Sequence, residues 1–267
     1  MKRRALLALF CGAAGAAEPP RRIISTAPSI TEMLYALGLG NQVVGVTTYC
    51  NYPPEARDKP RIGTYLRPDL EAVLHQKPDL IVLLEQAAEA RQRLAAFRIP
   101  ILSLRADTLR DIYGSLDAIG RRTGAGEVAG RLVAALRAEM AGVAARVSGR
   151  PRRRVMFVVG RTPASTRDVV VVGGGGTFLS ELVDHAGGEN VFRDSRVAYP
   201  KVSREDILAR RPEVIIDAGD AAGVELWKQV LPARAYVVDP DTFSIPGPRV
   251  GQVARQLARL IHPEAGL

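Results

Sequence analysis

Two glutamates, Glu71 and Glu205, occupy the same place in a segment that the chain writes twice. The stretch from Pro68 to Val82 returns 134 residues later as Val202 to Ile216. Each copy carries the glutamate, then a β-branched residue and Leu, then a basic residue, Pro, an acid and an apolar run. The pattern predicts a short helix feeding a buried strand, once in each half of the molecule. In the first turn of a helix a carboxylate gains about 0.3–1 kcal/mol from the helix dipole, which explains either glutamate alone. As a matched pair, one per half, they read as two anchors that meet arginines of a partner. Aromatic residues make up only 5% of the chain, yet Tyr49, Tyr52, Tyr65, Tyr199 and Phe243 stand in predicted loops. A ring there can line a cleft and stack on a flat ligand.

Other chemistries are poorly supplied. His75, His185 and His262 each stand alone in a helical pattern, with no paired spacing for a metal. A G-x-S-x-G elbow for a serine nucleophile does not occur. The run Gly173–Gly176 lacks the third glycine of a dinucleotide loop and the Lys-Ser/Thr of a P-loop, so it reads as a flexible turn into a helix. Ser29-Ile30-Thr31-Glu32 reads as a capping box, and the loop before it, with Pro28, sits at the carboxyl end of a strand, where open α/β sheets place ligands.

The elements that must position these residues alternate. Strands are expected at 22–25, 43–46, 80–84 and 100–104, and helices at 30–37, 70–76, 85–97 and 109–121. Between Gly126 and Val147, apolar Val128, Leu132, Ala135, Leu136, Met140 and Val143 recur at helical spacing without a proline, so one long amphipathic helix is expected. Pro151 ends it, and a second βα run follows to Ile261. The expected fold is α/β: two Rossmann-like lobes, 18–123 and 150–267, joined by a single helix within 124–149. A rigid helix between lobes predicts a cleft that closes little on binding.

At 267 residues, 47% hydrophobic and 24% charged, the chain suits two ordinary globular lobes. Residues 1–17 combine Lys2-Arg3-Arg4, a short apolar run and small residues, which predicts a cleaved signal peptide and export. Lipidation at Cys11 is the alternative, although Phe10 stands where such signals use a small residue. Cleavage leaves Cys50 as the lone cysteine and lowers the formal charge from +9 to about +6. The cluster Arg150-Pro151-Arg152-Arg153-Arg154 has no interleaved aromatics, so it reads as a solvated linker and no nucleic-acid partner is expected.

The run Ile23–Glu32 together with Val44–Pro54 resembles the periplasmic substrate-binding proteins of cobalamin and iron-siderophore ABC importers, the class with a helical backbone between its lobes. Ala186–Glu205, which contains Gly187-Gly188-Glu189-Asn190 and Tyr199-Pro200, is most similar to the cobalamin-binding branch. The resemblance implies a periplasmic, non-enzymatic, monomeric binding protein with no cofactor of its own. It would deliver a corrinoid, cobalamin or cobinamide, to an ABC permease dimer served by separate ATPase subunits. It also implies that Glu71 and Glu205 dock on the permease and that Tyr49, Tyr65, Tyr199 and Asp241 contact the corrin. Tyr65 and Tyr199 replace tryptophans common in cobalamin binders, and Ile245 replaces a polar or basic residue. Pro28, Phe243 and Arg161 complete the candidate cleft. Cys50, between Tyr49 and Tyr52, has two readings: a thiolate able to ligate cobalt, or a small packed hydrophobe. An iron-siderophore or haem binder of the same fold is the alternative, with Arg61, Arg67 and Arg161 available for siderophore carboxylates. A secreted metal-dependent lyase on this scaffold would need a bound metal and turnover.

Overall fold

The computed structural model describes residues 18–162, 165–166, 168–220 and 222–266. The signal-peptide reading of 1–17 lies outside the described residues. The first half runs β1 (Ile23–Ser25), α1 (Pro28–Ala36), β2 (Val43–Val46), α2 (Leu70–His75), β3 (Leu80–Leu84), α3 (Ala88–Ala95), β4 (Ile101–Leu104) and α4 (Leu109–Thr123). Helix α5 (Gly126–Val147) follows. The second half runs β5 (Arg153–Gly160), β6 (Val169–Val171), α6 (Phe178–His185), β7 (Gly188–Asn190), β8 (Lys201–Val202), α7 (Arg204–Arg210) and β9 (Val214–Asp217). It ends with α8 (Gly223–Lys228), β10 (Arg234–Val237), α9 (Pro240–Phe243) and α10 (Val250–Ile261).

The first four strands form one parallel sheet in the order β2-β1-β3-β4. The second sheet has the order β10-β9-β5-β6-β8, with β7 also on β5. Its β5, β7, β9 and β10 are parallel, whereas β6 pairs antiparallel with β5 and β8. Strands β3 and β9 are the near-continuous apolar runs of sheets covered on both faces, and all their residues but Leu84 are buried.

The repeated segment is duplicated down to its backbone. Asp69 and Ser203 cap α2 and α7 by accepting from the N–H groups of Ala72 and Asp206. Lys77 and Arg211 both take the left-handed conformation, φ 46° and 45°, that turns the chain from helix to strand. Arg22 then donates through Nε to the carbonyls of Gln76 and Lys77, and Arg154 donates likewise to that of Arg211.

Helix α5 buries Ala129, Val133, Leu136, Met140, Val143 and Val147. This 4-3-4-3-4 spacing is rotated slightly from the expected stripe, and the small Ala135 ends on the exposed side. One core crosses the helix without a break, from Ile23 and Ile30 through Leu136 and Met140 to Val155, Leu182 and Ile261.

Two local readings are corrected. Ser29 and Glu32 form no capping box: α1 starts at Pro28 with Ala27 as an uncapped N-terminus, because the fixed φ of proline already suits the first helical position. The glycine run is not simply a flexible turn. A Cβ on Gly174 would stand 1.6 Å from the Arg193 carbonyl oxygen, and one on Gly173 would stand 2.1 Å from that of Val197. These glycines let the 193–200 loop lie directly against the backbone.

Candidate ligand cleft

Parallel pairing puts the carboxyl ends of β1–β4 along one edge of the first sheet, and those of β5, β9 and β10 along one edge of the second. The two halves meet where β4 ends. The N–H of Phe178 donates to the Asp107 carbonyl at 2.6 Å, and the N–H of Leu109 donates to Glu181 Oε2 at 2.7 Å. Asp107 is therefore at the seam between the halves. Its carboxylate accepts from Gln86 Nε2 at 2.7 Å.

Two tyrosines, one from each half, feel the charge of this carboxylate. Tyr65, carried on the tight turn closed by the Gly63–Pro68 bridge, packs against the core. Tyr199 projects from the 193–200 loop, which the glycine run holds through the Gly173 N–H to Ala198 carbonyl bond of 2.8 Å. Partial burial, and then the negative charge of Asp107, raise both phenols above their ordinary value. Both rings therefore stay neutral at pH 7. Tyr49 lies 63% exposed beyond the carboxyl end of β2, and Leu66 and Val197 add exposed apolar surface at 65% and 59%. Sequence reasoning missed the last two; the tight turn around Leu66 was the available signal. Pro28 opens α1 half-buried, and Asp241 is exposed in the first turn of α9.

Three expected cleft residues face elsewhere. Cys50 is fully buried, with Sγ 3.1 Å from Thr31 Oγ1 and 3.0 Å from Thr47 Oγ1. It fills the role of a small packed hydrophobe, and its thiol does not reach the cleft. Phe243 is also buried and packs on Phe157 with centroids 6.5 Å apart, because α9 turns its apolar side inward. The Arg161 side chain is 2% exposed and bonds acids of its own half: Nε to Asp217 Oδ2 at 2.7 Å and Nη2 to Asp220 Oδ1 at 3.0 Å. Trp227 Nε1 donates to the same Asp217 oxygen at 2.7 Å. Burial opposes the Arg161 charge, but these acids more than offset it and raise the guanidinium above its ordinary value.

Tyr52 lines a concavity of about 800 Å³ with Tyr35, Glu55, Asp58 and Lys59. Its ring lies under Arg249, whose guanidinium carbon is 4.3 Å from the centroid. Arg249 itself binds Glu32 with two bonds of 2.9 and 2.5 Å, linking α1 to the segment before α10 across the whole chain. Sequence reasoning missed this pair, since its partners are 217 positions apart.

Glu71 and Glu205 are both exposed at the second positions of α2 and α7, and neither makes an ion pair among the described residues. No group of three or more His, Cys, Asp or Glu able to hold a metal occurs among the described residues.

Two α/β sheets are thus joined through one long helix, with strand-end loops on either side of a seam. The chain belongs to the periplasmic binding protein family, whose model matches residues 23–228. The vitamin B12-binding protein of Pectobacterium carotovorum is 35% identical over 257 residues, covering 93% of this chain and 90% of that one. Among solved structures, the periplasmic vitamin B12-binding protein BtuF of Vibrio cholerae is 27% identical with a TM-score of 0.78, over 93% of this chain and 98% of that one. The periplasmic haem-binding protein RhuT from Roseiflexus is 25% identical with a TM-score of 0.80, over 92% and 99%.

Proposed function

We propose that this chain is an exported, periplasmic binding protein that captures a corrinoid, cobalamin or cobinamide, between its two halves and delivers it to an ABC permease. The lobes are 18–123 and 150–267, with the connecting helix in 124–149. The observation that carries the reading is the seam at Asp107, which is bonded to Phe178 of the other half, with Tyr65 and Tyr199 on loops of opposite halves and both under the influence of its charge. Neutral rings on both walls, with exposed Tyr49, Leu66 and Val197 at the rim, suit a flat macrocycle held by stacking and peripheral hydrogen bonds. Pro28 and Asp241 complete the wall, Asp241 accepting from corrin amides.

Relatives named as vitamin B12-binding proteins support the corrinoid over the haem and siderophore readings, which share the fold. The arginines add to this. Arg161 is held by Asp217 and Asp220, and Arg61 by the carbonyls of Thr47, Cys50 and Arg57, so only Arg67 of the three is left for siderophore carboxylates.

Glu71 and Glu205 carry delivery, one exposed carboxylate per lobe meeting permease arginines. The protein acts as a monomer, without catalysis, and the ATPase is a separate chain.

The test is a titration of the mature protein with cyanocobalamin, cobinamide, haemin and a ferric siderophore, followed by visible absorbance and heat. Saturable corrinoid binding that Tyr65→Ala and Tyr199→Ala each weaken roughly tenfold or more is the expected result. A response to haemin or siderophore alone would overturn the ligand. Glu71→Lys with Glu205→Lys should abolish uptake in cells while leaving the titration unchanged, and a matching loss of affinity would refute the division of labour.

A further inference from the structure

The arginine run after α5 is not a linker, because Arg153 and Arg154 open β5. Parallel pairing gathers the starts of β5, β9 and β10 at one edge of the second sheet, at the opposite strand ends from the tyrosine loops. A concavity of about 600 Å³ lies there, and Arg153, Arg154, Arg211 and Arg234 line it around Glu213.

The charges in this concavity do not cancel. Glu213 accepts from the N–H of Arg154 at 2.9 Å and from Arg153 Nη1 at 3.3 Å, and these contacts, the first above all, hold its carboxyl below the ordinary range. Glu264 stands 3.9 Å from both Arg153 and Arg234. Four guanidiniums thus face two carboxylates. Arg211 makes no ion pair among the described residues, and Arg153 Nε is buried without a hydrogen-bond partner.

The internal repeat separates scaffold from surplus. Arg154 reproduces the turn-holding role of Arg22, so the duplicated fold explains it. Strand β4, however, starts with Ile101 where β10 starts with Arg234, and Arg21, the counterpart of Arg153, turns to Glu18. The duplicated fold therefore does not require Arg153 and Arg234 to converge here.

We propose that this edge binds a multivalent oxyanion, a phosphate-bearing group, at a site separate from the corrinoid cleft. Planar guanidiniums match phosphate oxygens in pairs, and the surplus charge matches a dianion. The phosphate comes either from a free solute or from the headgroups of an anionic lipid surface.

Sodium pyrophosphate titrated into the mature protein at low ionic strength, followed by heat and by arginine side-chain NMR resonances, tests the first source. Co-sedimentation with phosphatidylglycerol-containing and pure phosphatidylcholine vesicles tests the second. Saturable pyrophosphate binding assigns a free phosphate, and sedimentation with the anionic vesicles alone assigns the lipid. In either case Arg211→Gln and Arg234→Gln should each weaken binding about tenfold, and Arg121→Gln, on the exposed face of α4, should leave it unchanged. Binding to neither probe, or equal weakening by Arg121→Gln, would overturn the site. Corrinoid titration should be the same for all three variants, so this result is independent of the cleft.

Discussion

Glu32 and Arg249 join the two halves with side chains only 3% and 14% exposed. Burial pushes the Glu32 carboxyl above its ordinary value of 4.5, and Arg249 pulls it only partly back. A carboxyl raised by folding favours the folded state while it is protonated. That contribution is fully present below about 4.5 and is lost as pH rises through the raised value, so Glu32→Gln should flatten the stability profile over that rise. Glu32→Ala leaves the guanidinium buried and unpaired and should cost about 3 kcal/mol in urea unfolding. Adding Arg249→Met should restore most of that loss; strictly additive losses would refute the coupling. Cys50 calls for a different test. Cys50→Ala removes the contacts to Thr31 and Thr47 and should cost about 1 kcal/mol, with the visible spectrum of bound corrinoid unchanged. A shifted spectrum would return the thiol to the metal.

Among the elements, the glycine run and α5 give opposite predictions for one substitution. Gly174→Ala forces a methyl into the Arg193 carbonyl and should cost roughly 3 kcal/mol, the upper end of overpacking, while loosening the loop that carries Tyr199. Gly130→Ala, in α5 with open space around it, should stabilise by about 0.5–1 kcal/mol. Thermal melts of the two variants separate close approach from mere flexibility, and similar shifts would refute it. The same contrast explains what the sequence made legible. Elements with a strong period, such as β3, β9 and α5, could be read, as could the duplicated helix-to-strand unit, because local patterning determines them. Strand β7, Gly188-Glu189-Asn190, has no alternation to read, and two-residue β8 exists only through its pairing with β6. Ser29-x-x-Glu32 misled because the pattern of a cap coincided with a buried ion pair whose partner is distant in sequence. Loop aromatics were equally ambiguous: Tyr65 and Phe243 share composition and setting, and only packing sends one to the seam and the other to the core.

Over the whole molecule, the duplicated segment builds two related sheets, but the core between them is continuous, which bears on motion. Helix α5, at 22 residues, spans about 33 Å and packs on α4, α6 and α10. The halves are further tied at Asp107–Phe178, Leu109–Glu181 and Glu32–Arg249. A large hinge closure would have to break the buried ion pair and open the core along α5, and both changes cost more than stacking on two tyrosines returns. Binding should therefore proceed with adjustments of loops, those carrying Tyr49, Tyr65 and Tyr199, and not with rotation of one half against the other. Small-angle scattering of the mature protein with and without saturating corrinoid should give superimposable curves. A reproducible compaction on adding ligand would show that the α5 core yields, and that the seam at Asp107 is a hinge, not a fixed floor.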